Sequence, residues 1–139
     1  LANPAVIREF VKVRQPYSVD AVSQAVGEVV FEHRARFEPG IREIIEERGR
    51  VAEALRATPG IVPFPSDSNW ILLRMEDAGE AWEYLYEHGV LVRDFSATPL
   101  LEGCLRVTMG TPEQNDRFIS LLRAFVAERG SRRAQAARD

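Results

Sequence analysis

The sequence predicts an α+β domain, an α/β sandwich in which a small, mostly antiparallel sheet is covered by helices. Three observations carry that expectation. Apolar residues recur at helical spacing through the first half of the chain, and the second half holds short extended runs punctuated by proline and glycine. The last periodic segment opens with a full set of helix start signals. With 139 residues, 45% apolar and 28% charged, the chain has the balance of a globular domain able to bury a core without crosslinks.

Between Ser18 and Phe37, Val19, Val22, Val26, Val29 and Val30 recur at helical spacing, and Ser18 or Asp20 is placed to cap the start. After Pro39-Gly40 a long amphipathic helix follows, with Ile41, Ile44, Ile45, Val51 and Leu55 on one face and Glu46 and Arg50 at i,i+4 on the surface. Thr58-Pro59-Gly60 ends it. Residues 61–65 contain two prolines and suit only an extended edge segment. The run WILLRM, Trp70 to Met75, reads as a buried strand, and Asp77 with Glu80 starts a helix that stops at Gly89. VLVRDF and CLRVTM are two further strands. Thr111, Pro112 and Gln114 supply cap, first-turn proline and capping-box partner ahead of Phe118, Leu121, Leu122 and Phe125.

Composition narrows the function. Net charge is −3 and no basic stripe with aromatics appears, so nucleic acid is not an expected partner. No apolar run approaches the ~20 residues of a membrane span. Cys104, alone, cannot form an intrachain disulfide, and with His33 and His88 it makes too few ligands for a zinc site. No metal is expected, and a reducing cytoplasm is the natural compartment. Glycine-rich phosphate loops are absent. The start at Leu1, without a leader pattern, reads as a fragment. Seventeen of the 18 basic residues are arginine, leaving Lys12 as the only lysine. The tail from Gly130 to Asp139 reads as frayed or disordered.

Cys104 sits at the start of an apolar strand, where a buried inert thiol is expected. His33 and His88 fall at helix ends, where capping is expected. Glu46, Glu47 and the other helical acids read as a solvated face. Arginines inside strands stand out. Arg93 follows an apolar triplet, and Arg106 alternates with Leu105 and Val107, which points it away from the core. Two guanidinium forks so placed suit one carboxylate or phosphate; alternatively each is a surface arginine paired with an acid such as Asp94. Tyr17, in a proline turn, is either a packed ring or a ligand contact.

Taken together, KVRQPYSVDAVSQA, SDSNWILLRM, GVLVRDFS and GCLRVTMGTPEQNDRFISLLR resemble the C-terminal part of the histidinol-phosphate aminotransferases, fold-type I pyridoxal-phosphate enzymes of the class II aminotransferase group. The likeness covers about Leu1 to Arg129. Its most specific element is the pair of arginine motifs, 13 positions apart. Tryptophan stands where the family's S-x-x-N-F strand has phenylalanine.

The resemblance implies an aminotransferase small domain over 35–129, a helix-rich remnant of the large domain over 1–34 and a disordered tail over 130–139. It implies that Arg106 and Arg93 bind the anionic end of the substrate, with Tyr17 near the site and Asn69 structural. In the parent enzyme that anion is the phosphate of histidinol phosphate, whose amino group passes to 2-oxoglutarate. It further implies a homodimeric parent, with pyridoxal 5'-phosphate on a Schiff-base lysine in an S-K-x-x-x-L-A-G motif that these residues lack, so that the fragment alone is expected to be inactive. Aromatic aminotransferases and threonine-phosphate decarboxylases share this small domain, and an independent anion-binding or dimerisation domain is the alternative of another class.

Overall fold

The computed structural model describes residues 2–15 and 19–136. The chain divides into two compact units, Leu1–Pro39 and Gly40–Asp139.

The first unit holds α1 (Pro4–Val13), α2 (Ala21–Glu32) and a 3-10 turn, Arg34–Arg36. Helix α1 was not among the elements expected, although its start signal is plain. The Asn3 side chain accepts from Ala5 N at 2.8 Å and Pro4 occupies the first turn, where its missing N–H costs nothing. Asp20, one of the two expected caps, accepts from Ser23 N and starts α2. Neither helix has a buried residue, and Phe10, Val22 and Phe31 are among the exposed apolar side chains.

The second unit is the α+β domain. Helix α3 (Glu38–Arg56) is followed by β1 (Val62–Pro63), β2 (Trp70–Arg74), α4 (Ala78–Glu87), β3 (Arg93–Asp94), β4 (Cys104–Thr108) and α5 (Pro112–Ala136). The strands form one sheet in the order β1-β2-β4-β3, and all three pairings are antiparallel. Period-two alternation assigns the faces. Ile71, Leu73, Leu105 and Val107 are buried in the core with Val51, Leu55, Ala81, Leu85, Phe118 and Leu122 from the helices. Trp70, Leu72, Arg74, Arg106 and Thr108 take the opposite face, where none is fully buried.

Several elements differ from expectation. Glu47 is not on a solvated face but 8% exposed. It falls at i+3 from Ile44 and four before Val51, on the core stripe of α3, while Ile41 and Ile45 are half exposed. Asp77 makes no side-chain cap on α4; its carboxylate is taken by Arg129 and Arg133 of α5. Those contacts, with Arg133 to Glu76 at 2.8 Å, also explain why α5 runs on through Gly130 to Ala136 where composition predicts a frayed tail. Only two residues of the VLVRDF run pair as strand, because Val90 N is still bound to the Leu85 carbonyl at the end of α4.

Candidate functional site

Antiparallel pairing of β3 with β4 sets Arg93 directly opposite Arg106. Both are on the face away from the core, so the two guanidinium groups expected from sequence to converge do share one stretch of sheet. Each rests on aromatic rings. The Arg106 Cζ lies 5.6 Å from the Trp70 ring centroid and 6.0 Å from Phe95, and the Arg93 Cζ lies 5.8 Å from Phe95. Phe95 therefore sits within cation–π reach of both. Its place is fixed by a tight loop, in which Phe95 N donates to the Cys104 carbonyl and Gly103 N to the Ser96 carbonyl.

Neither arginine has a carboxylate partner among the described residues. Asp94 lines the same cleft as both arginines but accepts from Ser96 N at 2.7 Å and forms an ion pair with neither. Arg106 Nε is buried without any hydrogen-bond partner. A buried guanidinium donor left unpaired is costly and marks a place where an acceptor is expected.

Both arginines line an open cleft of about 740 Å³ between the Val90–Asp94 segment and Arg106–Thr108, closed by the first turn of α5. Arg117 lines it too and donates from Nη2 to the His88 carbonyl at 2.6 Å. The cleft thus presents three guanidinium groups, each with donors to spare, beside the Asp94 carboxylate, an arrangement able to hold an anion.

Cys104, His33 and His88 have structural roles. Cys104 is fully buried in β4. His33 and His88 cap α2 and α4, each with Nδ1 near the carbonyl four residues back, 3.0 Å from Val29 and 2.7 Å from Tyr84. Entry to β2 is held by Ser66, whose hydroxyl donates to the Trp70 carbonyl, and by the Asn69 amide, whose Oδ1 accepts from Ser68 Oγ at 3.3 Å. Tyr17 lies outside the described residues. Lys12, on α1, is exposed with Nζ on the Glu9 carboxylate at 2.6 Å. No cluster of His, Cys, Asp or Glu able to hold a metal ion occurs among the described residues, and no helix there is long and apolar enough to cross a membrane.

Sequence reasoning missed Glu47, Arg50 and Asn115. Glu47 accepts two hydrogen bonds from Arg50, at 2.8 and 2.7 Å, and one from Asn115 Nδ2 at 2.7 Å. Arg50 and then Asn115 hold its carboxyl down at about 2. The usable signal was the position of an acid on the apolar stripe of α3, which demands a buried partner.

The family model for aminotransferase class I and II matches residues 1–122. The histidinol-phosphate aminotransferase of Methylibium petroleiphilum is 40% identical over 124 residues, 88% of this chain and 33% of the relative. That of Chlorobaculum tepidum is 36% identical, over 88% of the chain and 35% of the relative. The chain therefore spans about a third of the length of these relatives. Among solved structures, L-threonine-O-3-phosphate decarboxylase from Porphyromonas gingivalis superposes with TM-score 0.72 at 29% identity, covering 91% of this chain and 40% of that one. The histidinol-phosphate aminotransferase from Clostridium acetobutylicum, at 17% identity, shares the fold with TM-score 0.73 over 91% of this chain and 39% of its own.

Proposed function

This chain belongs to the aminotransferase class I and II family, and from that premise we propose that it is the C-terminal substrate-anion-binding part of a pyridoxal-phosphate-dependent aminotransferase acting on histidinol phosphate. The parent reaction is then amino transfer from histidinol phosphate to 2-oxoglutarate, in a homodimeric cytoplasmic enzyme. The observation that carries the reading is the Arg93–Arg106 pair, opposed in register on one cleft, with no carboxylate paired to either among the described residues. Two forks suit a phosphate dianion better than a singly charged carboxylate. Trp70 and Phe95 flank the guanidinium groups and limit the water that competes for them.

The residues present do not fit the cofactor itself. Lys12, the only lysine, is exposed and held by Glu9. No step of amino transfer is assigned to this chain; its part is to bind and orient the phosphate end of the substrate. The 139 residues alone are accordingly expected to be inactive, with the cofactor held elsewhere in the parent.

A second reading, decarboxylation of threonine phosphate, is favoured by the 29% identity to the Porphyromonas decarboxylase; it uses the same phosphate contacts. Assay of an enzyme carrying these residues against histidinol phosphate, threonine phosphate and phenylalanine separates them. Best activity on histidinol phosphate supports the first reading, best activity on threonine phosphate the second, and preference for phenylalanine overturns both.

A further inference from the structure

Asn115 is 2% exposed and turns its whole amide onto two neighbours. Gly110 N donates to its Oδ1 at 3.0 Å, and its Nδ2 donates to the Gly110 carbonyl at 3.1 Å and to Glu47 Oε2 at 2.7 Å. Behind it, Glu47 is gripped by Arg50, which also reaches Asp116 and the Pro112 carbonyl. Helix α3 is thereby tied to the turn between β4 and α5. A Cβ at Gly110 would meet Gln114 Oε1, which would have to swing aside and give up its bond to Thr111 N.

This network is more than the start of α5 requires. Thr111 and Gln114 already exchange the capping-box bonds, Thr111 N to Gln114 Oε1 at 3.0 Å and Gln114 N to Thr111 Oγ1 at 3.4 Å. A buried carboxylate is, moreover, a costly way to stabilise a fold that apolar packing would serve. What the additional bonds do is set position. Gly110 and Asn115 line the same cleft as Arg93 and Arg106, and Gly110 lies in the turn that leaves β4, four residues beyond Arg106. Two residues further along α5, Arg117 holds the His88 carbonyl at the opening of the opposite wall. One helical turn thus holds both walls that carry the arginines.

We propose that Asn115, backed by Glu47, is a positioning residue of the anion site: it fixes the β4–α5 turn and through it the wall that carries Arg106. The inference rests on the reading of Arg93 and Arg106 as the anion site. Asn115 itself has no donor left for a ligand.

The test is titration of inorganic phosphate into the full 139-residue chain, followed by the arginine Nε–Hε signals in NMR, with thermal midpoints measured alongside. Arg106→Ala is expected to abolish saturable binding. Asn115→Ala weakens it roughly three- to tenfold, as loss of one to two buried hydrogen bonds implies, and Glu47→Gln, which keeps an acceptor for Asn115, weakens it less in the same direction. Asp77→Asn, which loosens the distant end of α5, lowers the midpoint and leaves phosphate affinity unchanged. Wild-type affinity in both Asn115→Ala and Glu47→Gln, with binding still lost in Arg106→Ala, overturns the positioning role alone. Wild-type affinity in Arg106→Ala overturns the anion-site reading and the positioning role with it. Should Asp77→Asn weaken binding as much as Asn115→Ala, the effect follows overall stability and the positioning role fails. If Asn115→Ala does not fold, the Glu47→Gln and Asp77→Asn comparison decides.

Discussion

Arg93 and Arg106 stand directly opposite one another across β3 and β4, two cations in register with no carboxylate paired to either among the described residues. Like charges at opposed positions destabilise an antiparallel pair, and the buried, partnerless Nε of Arg106 adds a desolvation cost. The sheet is therefore less stable here than it needs to be, and an anion relieves both costs. Replacing Arg93 by Gln is expected to leave the thermal midpoint unchanged or raise it, by up to about 1 kcal/mol in stability, while reducing the stabilisation that added phosphate confers. A clear loss of stability in Arg93→Gln would show that stacking on Phe95 outweighs the repulsion.

Function should follow the same pair. In an enzyme carrying these residues, Arg106→Ala is expected to lower kcat/KM for the phosphorylated substrate by roughly 1.5–3 kcal/mol, the worth of one charge-assisted fork. The unphosphorylated alcohol should be affected far less. Steady-state kinetics with both substrates checks this, and equal losses on the two would place Arg106 away from the phosphate.

Acid sensitivity should centre on Glu47. Its carboxyl is lowered from 4.5 to about 2 in the folded chain, by Arg50 first and Asn115 second. A depressed folded pKa contributes stability that is fully present above the unfolded value and is lost as pH falls from about 4.5 towards 2. The full contribution is on the order of 3 kcal/mol. Urea unfolding at a series of pH values should show the wild type losing stability across that window and Glu47→Gln, already weaker at neutral pH, losing less of it.

What the sequence made legible was local chemistry. The Thr111–Gln114 capping box, the αL Gly89 that ends α4 and the alternation that turns Arg106 from the core all involve residues within a few positions of one another, where periodicity and side-chain type decide the outcome. The opposition of Arg93 to Arg106 depends on a strand register between separate segments. Periodicity supplied the faces, and only the pairing supplied the partner. Glu47 was misread because its partners, Arg50 and Asn115, include one from 68 residues away, and an acid on an amphipathic helix is normally solvated. The end of α5 was misread for a related reason: arginine- and alanine-rich composition says nothing about three acids waiting at the start of α4.

Backbone strain gives a further prediction at Gly103. It lies at φ +71°, and an added Cβ would come within 2.8 Å of the Met75 carbonyl oxygen, which is backbone and cannot swing away. Met75 N also donates to the Gly103 carbonyl at 2.9 Å, so neither side yields. Gly103→Ala should cost roughly 1–3 kcal/mol. Gly49→Ala, in the middle of α3 with open space around it, should instead be neutral or stabilising by up to about 1 kcal/mol. Chemical denaturation of the two variants side by side tests the contrast.

The far end of α5 offers the last test, because its ion pairs differ in exposure. Asp77 is mostly covered, at 17% side-chain exposure, and receives Arg129 and Arg133 together, whereas Glu76, at 77%, receives Arg133 alone. Arg129 first, then Arg133, holds the Asp77 carboxyl below its ordinary value. Exposed pairs contribute little, since water and salt screen them, while removing a covered carboxylate leaves two guanidinium groups without their shared acceptor. Asp77→Asn is therefore expected to cost about 1–2 kcal/mol and Glu76→Gln less than about 0.5. Hydrogen exchange of the amides from Gly130 to Ala136 locates the loss. In Asp77→Asn they should exchange faster while those of Phe118 to Phe125, buried against the sheet, keep their protection. Uniform acceleration along the whole helix would mean instead that α5 unfolds as one unit and that its last turns owe nothing in particular to Asp77.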